Sequence, residues 1–239
     1  INGQWVLDPF CGRGTTNYAA RLLGLPSVGI DSSPIAASIA QSKLSNSTPG
    51  QIIKSCMNIL GRKVEPQNVP QGKFWKYAYH PKTLENLCKL REALLNDCRS
   101  ESRISLRAIV LGSLHGPLRK GEPSYFSNQC PRTFAPKPDY AVRFWKEKHP
   151  TPPYVEIVDL IKRKAIQFLS ELPTAVKGFI IQGNSMNKIP LPNGIKFSWV
   201  ITSPPYYGMR TYIQDQWLRA WFLGGNPNVP YGLNDGIIH

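Results

Sequence analysis

Residues 202–208, Thr-Ser-Pro-Pro-Tyr-Tyr-Gly, are the segment of this chain whose residue types say most about chemistry. They follow an apolar run, residues 197–201, that predicts a buried strand. Two consecutive prolines end that strand, fix φ at both positions and remove two backbone donors. The strand's carboxyl end therefore offers carbonyl acceptors, a serine hydroxyl and a tyrosine ring, which together suit a planar heteroaromatic amine. A strand followed by a proline turn explains the same residues without any chemistry, so a second motif is needed to choose.

The second motif is residues 5–16, Trp-Val-Leu-Asp-Pro-Phe-Cys-Gly-Arg-Gly-Thr-Thr. The pattern predicts a strand, a glycine-rich turn and a helix that Thr15 or Thr16 caps. The glycines let the backbone approach a ligand closely, and a helix N-terminus favours an anionic group. A further strand then ends at Asp31, twenty-three residues after Asp8. A carboxylate about twenty residues past such a turn holds ribose hydroxyls in doubly wound nucleotide sites.

Together these stretches resemble the S-adenosylmethionine-dependent DNA amino-methyltransferases, which methylate an exocyclic nitrogen of a base in a site-specific way. Residues 8–16 resemble the cofactor loop of that family, and residues 202–206 resemble its catalytic motif. Residues 179–185 resemble the strand whose terminal acid contacts the adenine of the cofactor, although this chain has Asn184 where aspartate is common. The resemblance covers the two ends of the chain and is loose in the middle.

The resemblance implies S-adenosylmethionine as cofactor and DNA as partner. It implies that the Ser203 side chain and the Pro204 carbonyl accept the N–H groups of the target amine, with Pro205 adding rigidity. Tyr206 would stack on a base that has been flipped out of the duplex. The residues implied to hold the cofactor are Asp8, Pro9, Phe10, Gly12, Gly14, Thr15, Asp31 and Asn184.

Four functional interpretations remain open from the sequence. Serine before Pro-Pro-Tyr favours methylation of cytosine N4, because the adenine N6 enzymes of the family more often carry Asp or Asn there. Methylation of an RNA base and a non-catalytic nucleic-acid-binding subunit with the same fold are further alternatives. The dispersed histidines and cysteines do not have the spacing of metal ligands, so we expect no metal site.

The formal net charge of +14 points to a polyanionic partner. Residues 62–177 hold 21 Lys and Arg against 11 Asp and Glu, so most of the excess lies in the middle of the chain. That distribution suits phosphate contacts that position a duplex, although a basic surface kept for solubility is the alternative. The sequence shows no apolar run of the ~20 residues that span a bilayer and no signal peptide. Five cysteines without a Cys-x-x-Cys spacing indicate reduced thiols, so we expect a cytoplasmic or nucleoid-associated protein.

Cations alternate with aromatic residues between residues 117 and 149. This pattern suits phosphate binding combined with base stacking, or else the aromatic side chains anchor the loop to the core. Arg210 follows the catalytic motif and would contact the backbone of the flipped nucleotide or pair with Asp215. The nucleic-acid-binding candidates are Arg119, Lys120, Arg132, Lys137, Arg143 and Arg210.

Apolar strands that alternate with helices predict an α/β fold, a Rossmann-like parallel sheet of the methyltransferase type. Residues 1–60 would form the cofactor-binding half, residues 61–177 a basic and mostly helical insert, and residues 178–239 the catalytic half. Helices are predicted at residues 80–98, 105–118 and 154–172. The resemblance implies that the first strand and the 197–201 strand are neighbours. The family's sheet has more strands than this chain predicts, so a missing segment or a second polypeptide is expected to complete it.

Overall fold

A computed structural model describes residues 4–117, 124–131, 138–169, 173–187, 191, 194–204 and 213–228, with only the backbone described for 213–215. In those ranges the chain forms one parallel β-sheet and a set of α-helices, which confirms the predicted α/β class. The strands are β1 (Trp5–Asp8), β2 (Ser27–Asp31), β3 (Gly178–Gln182) and β4 (Phe197–Val200). The helices are α1 (Thr15–Leu22), α2 (Pro34–Ser42), α3 (Pro49–Leu60), α4 (Lys73–Ala78), α5 (Pro81–Asn96), α6 (Glu101–Ser113), α7 (Pro138–Lys148), α8 (Ile157–Leu169) and α9 (Ile213–Phe222).

The strand order is β3-β2-β1-β4, and every pairing is parallel. β1 therefore lies next to β4, as the resemblance implied, with Leu7 opposite Val200. On the other side of β1, Leu7 lies opposite Val28 of β2, which is fully buried. The chain thus returns from the far edge of the sheet, at β3, to the opposite edge, at β4.

The prediction that residues 197–201 form a buried strand is wrong in one respect. The strand is present, but Trp199, Val200 and Ile201 are 54%, 63% and 53% exposed. β4 is an edge strand, and the two helices that pack on the sheet, α1 and α2, lie on β1, β2 and β3. A short apolar run does not distinguish an edge strand from a central one, because the residue pattern does not show which other elements pack on the strand.

Helix α2 begins with a side-chain cap: Ser33 is the N-cap, its hydroxyl accepts a hydrogen bond from the Ala36 amide, and Pro34 occupies the first turn. Helix α1 begins differently. Its N-cap is Gly14, at φ 75°, without a side-chain cap, so the expectation that Thr15 or Thr16 caps it is wrong. Thr15 is already the first helical residue, because the left-handed glycine makes the turn.

The helices α3 to α9 share one hydrophobic core, and we call this part the helical body. Its centre is aromatic: the rings of Trp75 and Trp221 lie 4.6 Å apart between centroids, and those of Phe74 and Trp217 lie 5.0 Å apart. Trp217, Leu218 and Trp221 of α9 are all buried in this core. Because α3 and α9 pack here as well, the helical body draws on sequence from both sides of the predicted insert.

None of the helices in the described ranges has the length and the apolar composition that crossing a bilayer requires. All five cysteines are free thiols, and only Cys98 is partly exposed. Within the described residues, no three His, Cys, Asp or Glu side chains are grouped closely enough to hold a metal ion.

Candidate functional site

All four strands point the same way, so their carboxyl ends meet at one edge of the sheet. The predicted site residues Asp8, Asp31, Asn184 and Ser203 follow these strand ends. In open parallel sheets, ligands bind outside this edge, where the strand order reverses direction. Here the reversal falls at β1. The chain continues from β1 to β2 and β3 on one side, and then crosses to β4 on the other side of β1.

The glycine turn and the Ser203 segment follow two strands that lie side by side. The Ile201 amide donates to the Leu7 carbonyl at 3.0 Å, which extends the β1–β4 pairing one residue beyond β4. Neighbouring strands lie ~4.8 Å apart, so the backbone of Asp8 and the backbone leading to Ser203 are close together. The implied adjacency of the two strands is confirmed, and the position of Gly12 beside Pro204 and Tyr206 stays a prediction.

Asp31 fastens the glycine turn to the end of β2. Its Oδ2 accepts a hydrogen bond from the Gly12 amide at 2.8 Å, and its Oδ1 accepts one from the Ser33 amide at 2.8 Å. The Cys11 amide also donates to the Ile30 carbonyl at 2.9 Å. A carboxylate has about four acceptor positions, so Asp31 retains capacity for the hydroxyls of a ribose.

The turn leaves room for a ligand at Gly12. Gly12 has φ 53°, and no atom lies within 4 Å of the position that a Cβ would take there. Gly14, at φ 75°, is instead packed, because a Cβ on it would lie 2.8 Å from the Ala40 Cβ. One glycine therefore opens the turn toward a ligand, and the other seats the turn on α2. The open space at Gly12, beside the acceptor-rich Asp31 carboxylate, could hold part of a cofactor that carries a ribose.

Two buried residues, Asp8 and Cys11, stabilise the glycine turn. Asp8 is 3% exposed, and its Oδ1 accepts a hydrogen bond from the Phe10 amide at 3.1 Å. Cys11 is buried, and burial, with Asp31 and Asp8 adding to it, raises the pKa of its thiol to about 12. The thiol therefore stays protonated and packs behind the turn, as predicted. Phe10 is 41% exposed, so its ring is accessible on the outside of the turn.

Asn184 lies at the same carboxyl edge of the sheet, because the residue before it is hydrogen-bonded to the end of β2. The Gly183 amide donates to the Asp31 carbonyl at 3.0 Å, which continues the β2–β3 pairing beyond the strands. Asn184 is exposed, and its Oδ1 accepts a hydrogen bond from the Met186 amide at 2.9 Å. The side chain thus shapes its own turn, and its amide group still has hydrogen-bonding capacity for an adenine edge.

Ser203 and Pro204 are exposed at the end of β4, while Pro205 and Tyr206 lie outside the described residues. The same holds for five nucleic-acid-binding candidates: Arg119, Lys120, Arg132, Lys137 and Arg210. The sixth, Arg143, is exposed on α7. The roles of all these residues stay predictions.

The described aromatic residues near residues 117–149 mostly anchor this region to the helical body. Phe126 and Trp145 are completely buried, and the Trp145 Nε1 donates to the Gln129 carbonyl at 3.2 Å. Stacking of a base on Phe126 or Trp145 is therefore wrong as an interpretation. Tyr140, 38% exposed on α7, keeps an accessible ring.

Asn17 is a contributor that the sequence did not single out. It is fully buried in α1, its Nδ2 donates to the Ser27 hydroxyl at 3.1 Å, and its Oδ1 has no hydrogen-bond partner among the described residues. A Cβ on Gly29 would lie 2.6 Å from that oxygen. Asn17 thus ties the first turn of α1 to the start of β2. The only signal for Asn17 in the sequence was a polar residue two positions after Thr15.

Two cavities in the described part lie away from Asp8, Gly12 and Ser203. One, of about 480 Å³, lies between α3 and the start of α6, and is lined by residues such as Gln51 and Lys54. The other, of about 350 Å³, lies at the junction of α2 and the helical body, and Gln182 of β3 also lines it. The candidate site is therefore an open edge of the sheet rather than either of these cavities.

The parallel sheet and the residues at the carboxyl ends of its strands are consistent with a methyltransferase Rossmann-like fold. Residues 1–42 match the family model described as DNA methylase, of the N6/N4 type. The chain is also 25% identical, over 265 aligned positions, to the type II methyltransferase M.BsoBI of Geobacillus stearothermophilus. These two matches support the placement of the chain in the DNA amino-methyltransferase family.

The alignment with M.BsoBI covers 93% of this chain and 47% of that protein, so the chain spans about half the length of the curated relative. No solved structure gives a significant match.

Proposed function

We propose that the chain is part of a site-specific DNA methyltransferase that moves a methyl group from S-adenosylmethionine to the exocyclic amine of a flipped base, with cytosine N4 favoured. The observation that carries this proposal is the adjacency of the β1 glycine turn and the Ser203 segment after β4. A donor held at one and an amine held at the other would meet over a short distance. When bound, S-adenosylmethionine supplies an electrophilic methyl on its sulfonium.

The cofactor would be held by residues from three strand ends. The amides and open space around Gly12, with Asp8 below, suit the methionine portion, and the free acceptor positions of Asp31 suit the ribose. Asn184 suits the adenine edge. Pro9, Phe10, Gly14 and Thr15 complete the turn, with Gly14 fixing it on α2. This division of labour makes the turn a binding element and leaves the chemistry to the segment after β4.

Ser203 and Pro204 would prepare the amine for attack. The lone pair of an exocyclic amine on cytosine or adenine is delocalised into the ring, so the amine is a weak nucleophile. If the Ser203 hydroxyl and the Pro204 carbonyl accept its two N–H groups, the lone pair is turned toward the methyl donor. The remaining catalysis is alignment, with the reacting atoms held ~3–3.5 Å apart.

The base must leave the duplex to reach this edge, at a cost of a few kcal/mol. Stacking on Tyr206, worth ~1–3 kcal/mol, and phosphate contacts from the basic middle of the chain would offset that cost. Arg119, Lys120, Arg132, Lys137 and Arg210 are proposed for those contacts from the sequence. Arg143 is proposed with the additional support that it is exposed.

Two aspects of the biological setting are part of the same proposal. The exposed apolar residues of β4 motivate a further polypeptide segment, from a longer chain or a second one, that would cover this edge of the sheet. Site-specific methylation of this kind would serve a restriction–modification system in the cytoplasm. Both statements depend on the methyltransferase activity itself.

The test is nucleoside mass spectrometry of duplex DNA after incubation with the protein and S-adenosylmethionine. We expect N4-methylcytosine, and Ser203→Ala should abolish it while S-adenosylmethionine binding persists. N6-methyladenine alone would overturn the choice of base and keep the enzyme class. Methylation of tRNA or rRNA with none on DNA would overturn the choice of polymer.

A non-catalytic subunit with the same fold is the second candidate, motivated by the exposed apolar residues of β4, which leave this edge of the sheet uncovered among the described residues. It predicts DNA binding without any heat of S-adenosylmethionine binding in calorimetry. Measurable cofactor binding that Asp31→Ala weakens would reject this candidate.

A further inference from the structure

Arg13 stands inside the glycine turn, where cofactor binding gives it no role. It lies between two glycines with positive φ, Gly12 at 53° and Gly14 at 75°, and its side chain is exposed. The close packing of Gly14 on Ala40 seats the turn against the last part of α2. Arg13 is therefore held at a fixed point of the carboxyl edge, next to α2 and close to the open cradle at Gly12.

Two more cations come from other elements to the same region. Lys43 is the C-cap of α2, three residues after Ala40, so both lie on the same face of the helix. Arg219 lies on α9, and its Nε donates to the Leu111 carbonyl of α6 at 3.1 Å. Helix α2 packs against α6 and α9, which brings this part of the helical body to the turn. We call Arg13, Lys43 and Arg219 the cationic seam.

Arg13 interacts unfavourably with each of the other two members of the cationic seam. Burial, and after it the positive charge of Arg13, lower the pKa of the Lys43 ammonium. Burial, and after it Arg13, likewise lower the pKa of Arg219. These directions agree with the packing of α2 against α9 and place Arg13 within electrostatic reach of both side chains.

No carboxylate forms an ion pair with the cationic seam in the part of the chain that the structure describes. The ion pairs found there join Lys82, Lys89, Arg99 and Arg103 to acids. Asp8 and Asp31 lie in the same turn and reduce the positive charge there, but their carboxylates are bonded to backbone amides rather than to Arg13. The C-terminal carbonyls of α6 favour the charge of Arg219 only as partial charges. Arg13 therefore keeps its guanidinium donors available for an anion.

We propose that Arg13, backed by Lys43 and Arg219, binds a backbone phosphate of the DNA beside the target nucleotide. The inference rests on the proposed function, which brings the duplex to this edge of the sheet. Arg13 is suited to the contact because its planar guanidinium presents paired N–H donors to phosphate oxygens. The phosphate would be held between the glycine turn and the helical body, so it would orient the nucleotide that enters the site.

The experiment compares Arg13→Gln and Arg13→Lys with the charge-matched control Lys54→Gln, a variant of an exposed lysine on α3. Affinity for a duplex is measured by fluorescence anisotropy at several salt concentrations, S-adenosylmethionine affinity by calorimetry, and methylation by mass spectrometry. We expect Arg13→Gln to weaken DNA binding roughly tenfold and to lower the slope of log K against log salt by about one. Cofactor affinity should be unchanged, and Arg13→Lys should restore part of the DNA affinity.

Three results would overturn the inference or its premise separately. If Arg13→Gln matches Lys54→Gln in affinity and in salt slope, Arg13 does not contact phosphate. If Arg13→Gln weakens only cofactor binding, the cation holds the carboxylate of the cofactor instead. If the wild-type protein methylates no nucleic acid, the proposed function fails, and that result is visible before any variant is made.

Discussion

The Asp31 carboxylate accepts hydrogen bonds from the amides of Gly12 and Ser33, each at 2.8 Å. One side chain therefore sets the position of the glycine turn and the start of α2. The same carboxylate is the proposed acceptor for the ribose of the cofactor. If Asp31 also binds the ribose, substitutions there would change both cofactor binding and the shape of the turn.

Asp31→Ala and Tyr206→Ala should separate cofactor binding from catalysis. Loss of the charged acceptor in Asp31→Ala should weaken S-adenosylmethionine binding by roughly tenfold to a hundredfold, because hydrogen bonds to charged groups contribute about 1.5–3 kcal/mol. Loss of the stacking ring in Tyr206→Ala should lower turnover by a similar factor, from ~1–3 kcal/mol of stacking. Calorimetry and single-turnover rates would show the two patterns. Equal losses of affinity and turnover in both variants would contradict the division of roles.

Gly14→Ala should destabilise the fold more than Gly12→Ala. Both substitutions place a side chain at positive φ, a strain of about 1–2 kcal/mol. At Gly14 the new Cβ would also lie 2.8 Å from the Ala40 Cβ, whereas at Gly12 it meets open space. Overpacking adds about 1–3 kcal/mol for Gly14→Ala, measurable by urea denaturation. In contrast, Gly12→Ala should be the variant that loses cofactor affinity, since its methyl group enters the proposed cradle.

Arg21→Leu should lower the free energy of unfolding by about 2–4 kcal/mol. Arg21 is 2% exposed, and its Nη1 donates to the carbonyls of Lys43 and Ser45 at 2.9 and 2.7 Å. Its Nη2 donates to the Asn46 Oδ1 at 2.8 Å, so removing the guanidinium leaves one buried acceptor, the Ser45 carbonyl, and two partly buried ones without their donor. Arg21→Lys, which keeps the charge but not the fork of donors, should fall between wild type and Arg21→Leu in urea denaturation. Equal stabilities of all three proteins would show that these contacts contribute nothing.

Trp145→Ala and Tyr140→Ala distinguish anchoring from nucleic-acid contact on α7. Trp145 is fully buried, so its truncation should cost about 3–5 kcal/mol of stability. Tyr140 is 38% exposed, so its truncation should leave stability almost unchanged. The two values come from thermal or urea unfolding. A selective loss of DNA affinity in Tyr140→Ala at unchanged stability would assign that ring to the nucleic acid.

His115 should make the protein less stable as the pH falls below about 6.5. Burial, and after it Arg219, lower the pKa of His115 to about 3 in the folded protein. The unfolded chain binds this proton near pH 6.5, so between pH 6.5 and 3 the unfolded state is favoured by up to about 1.4 kcal/mol per pH unit. His115→Gln should reduce that loss between pH 6.5 and 4.5. Retention of the wild-type slope by His115→Gln would contradict this role of His115.

Much of the fold near the sheet could be predicted because local signals and tertiary packing agree there. The strand, turn and helix pattern of residues 5–16 located β1 and α1, and the strand predicted to end at Asp31 does end there. The hydrogen bond from Gly12 to Asp31 could not be predicted, since it depends on how two strand ends meet in space. The exposure of Trp199 was missed for the same reason.

The helical body was harder to predict than the sheet. Helix α6 runs from Glu101 to Ser113 instead of 105–118, because the Ser100 N-cap begins it a turn earlier than the apolar pattern indicates. The only sign in the sequence that α9 packs into the aromatic centre was the helical spacing of Trp217 and Trp221. The two cations that join Arg13 lie 30 and 206 residues away in sequence, so no local pattern could have grouped them.

The aromatic centre of the helical body also bears on the segment that carries Ser203. Before that segment, the Ile201 amide is bonded to the Leu7 carbonyl in the sheet, and after it comes α9, whose Trp217 and Trp221 lie among other rings. The sheet thus anchors the chain before Ser203, and the aromatic centre anchors the helix that follows. Substitutions at Trp217 or Trp221 would loosen the second anchor and leave the first intact.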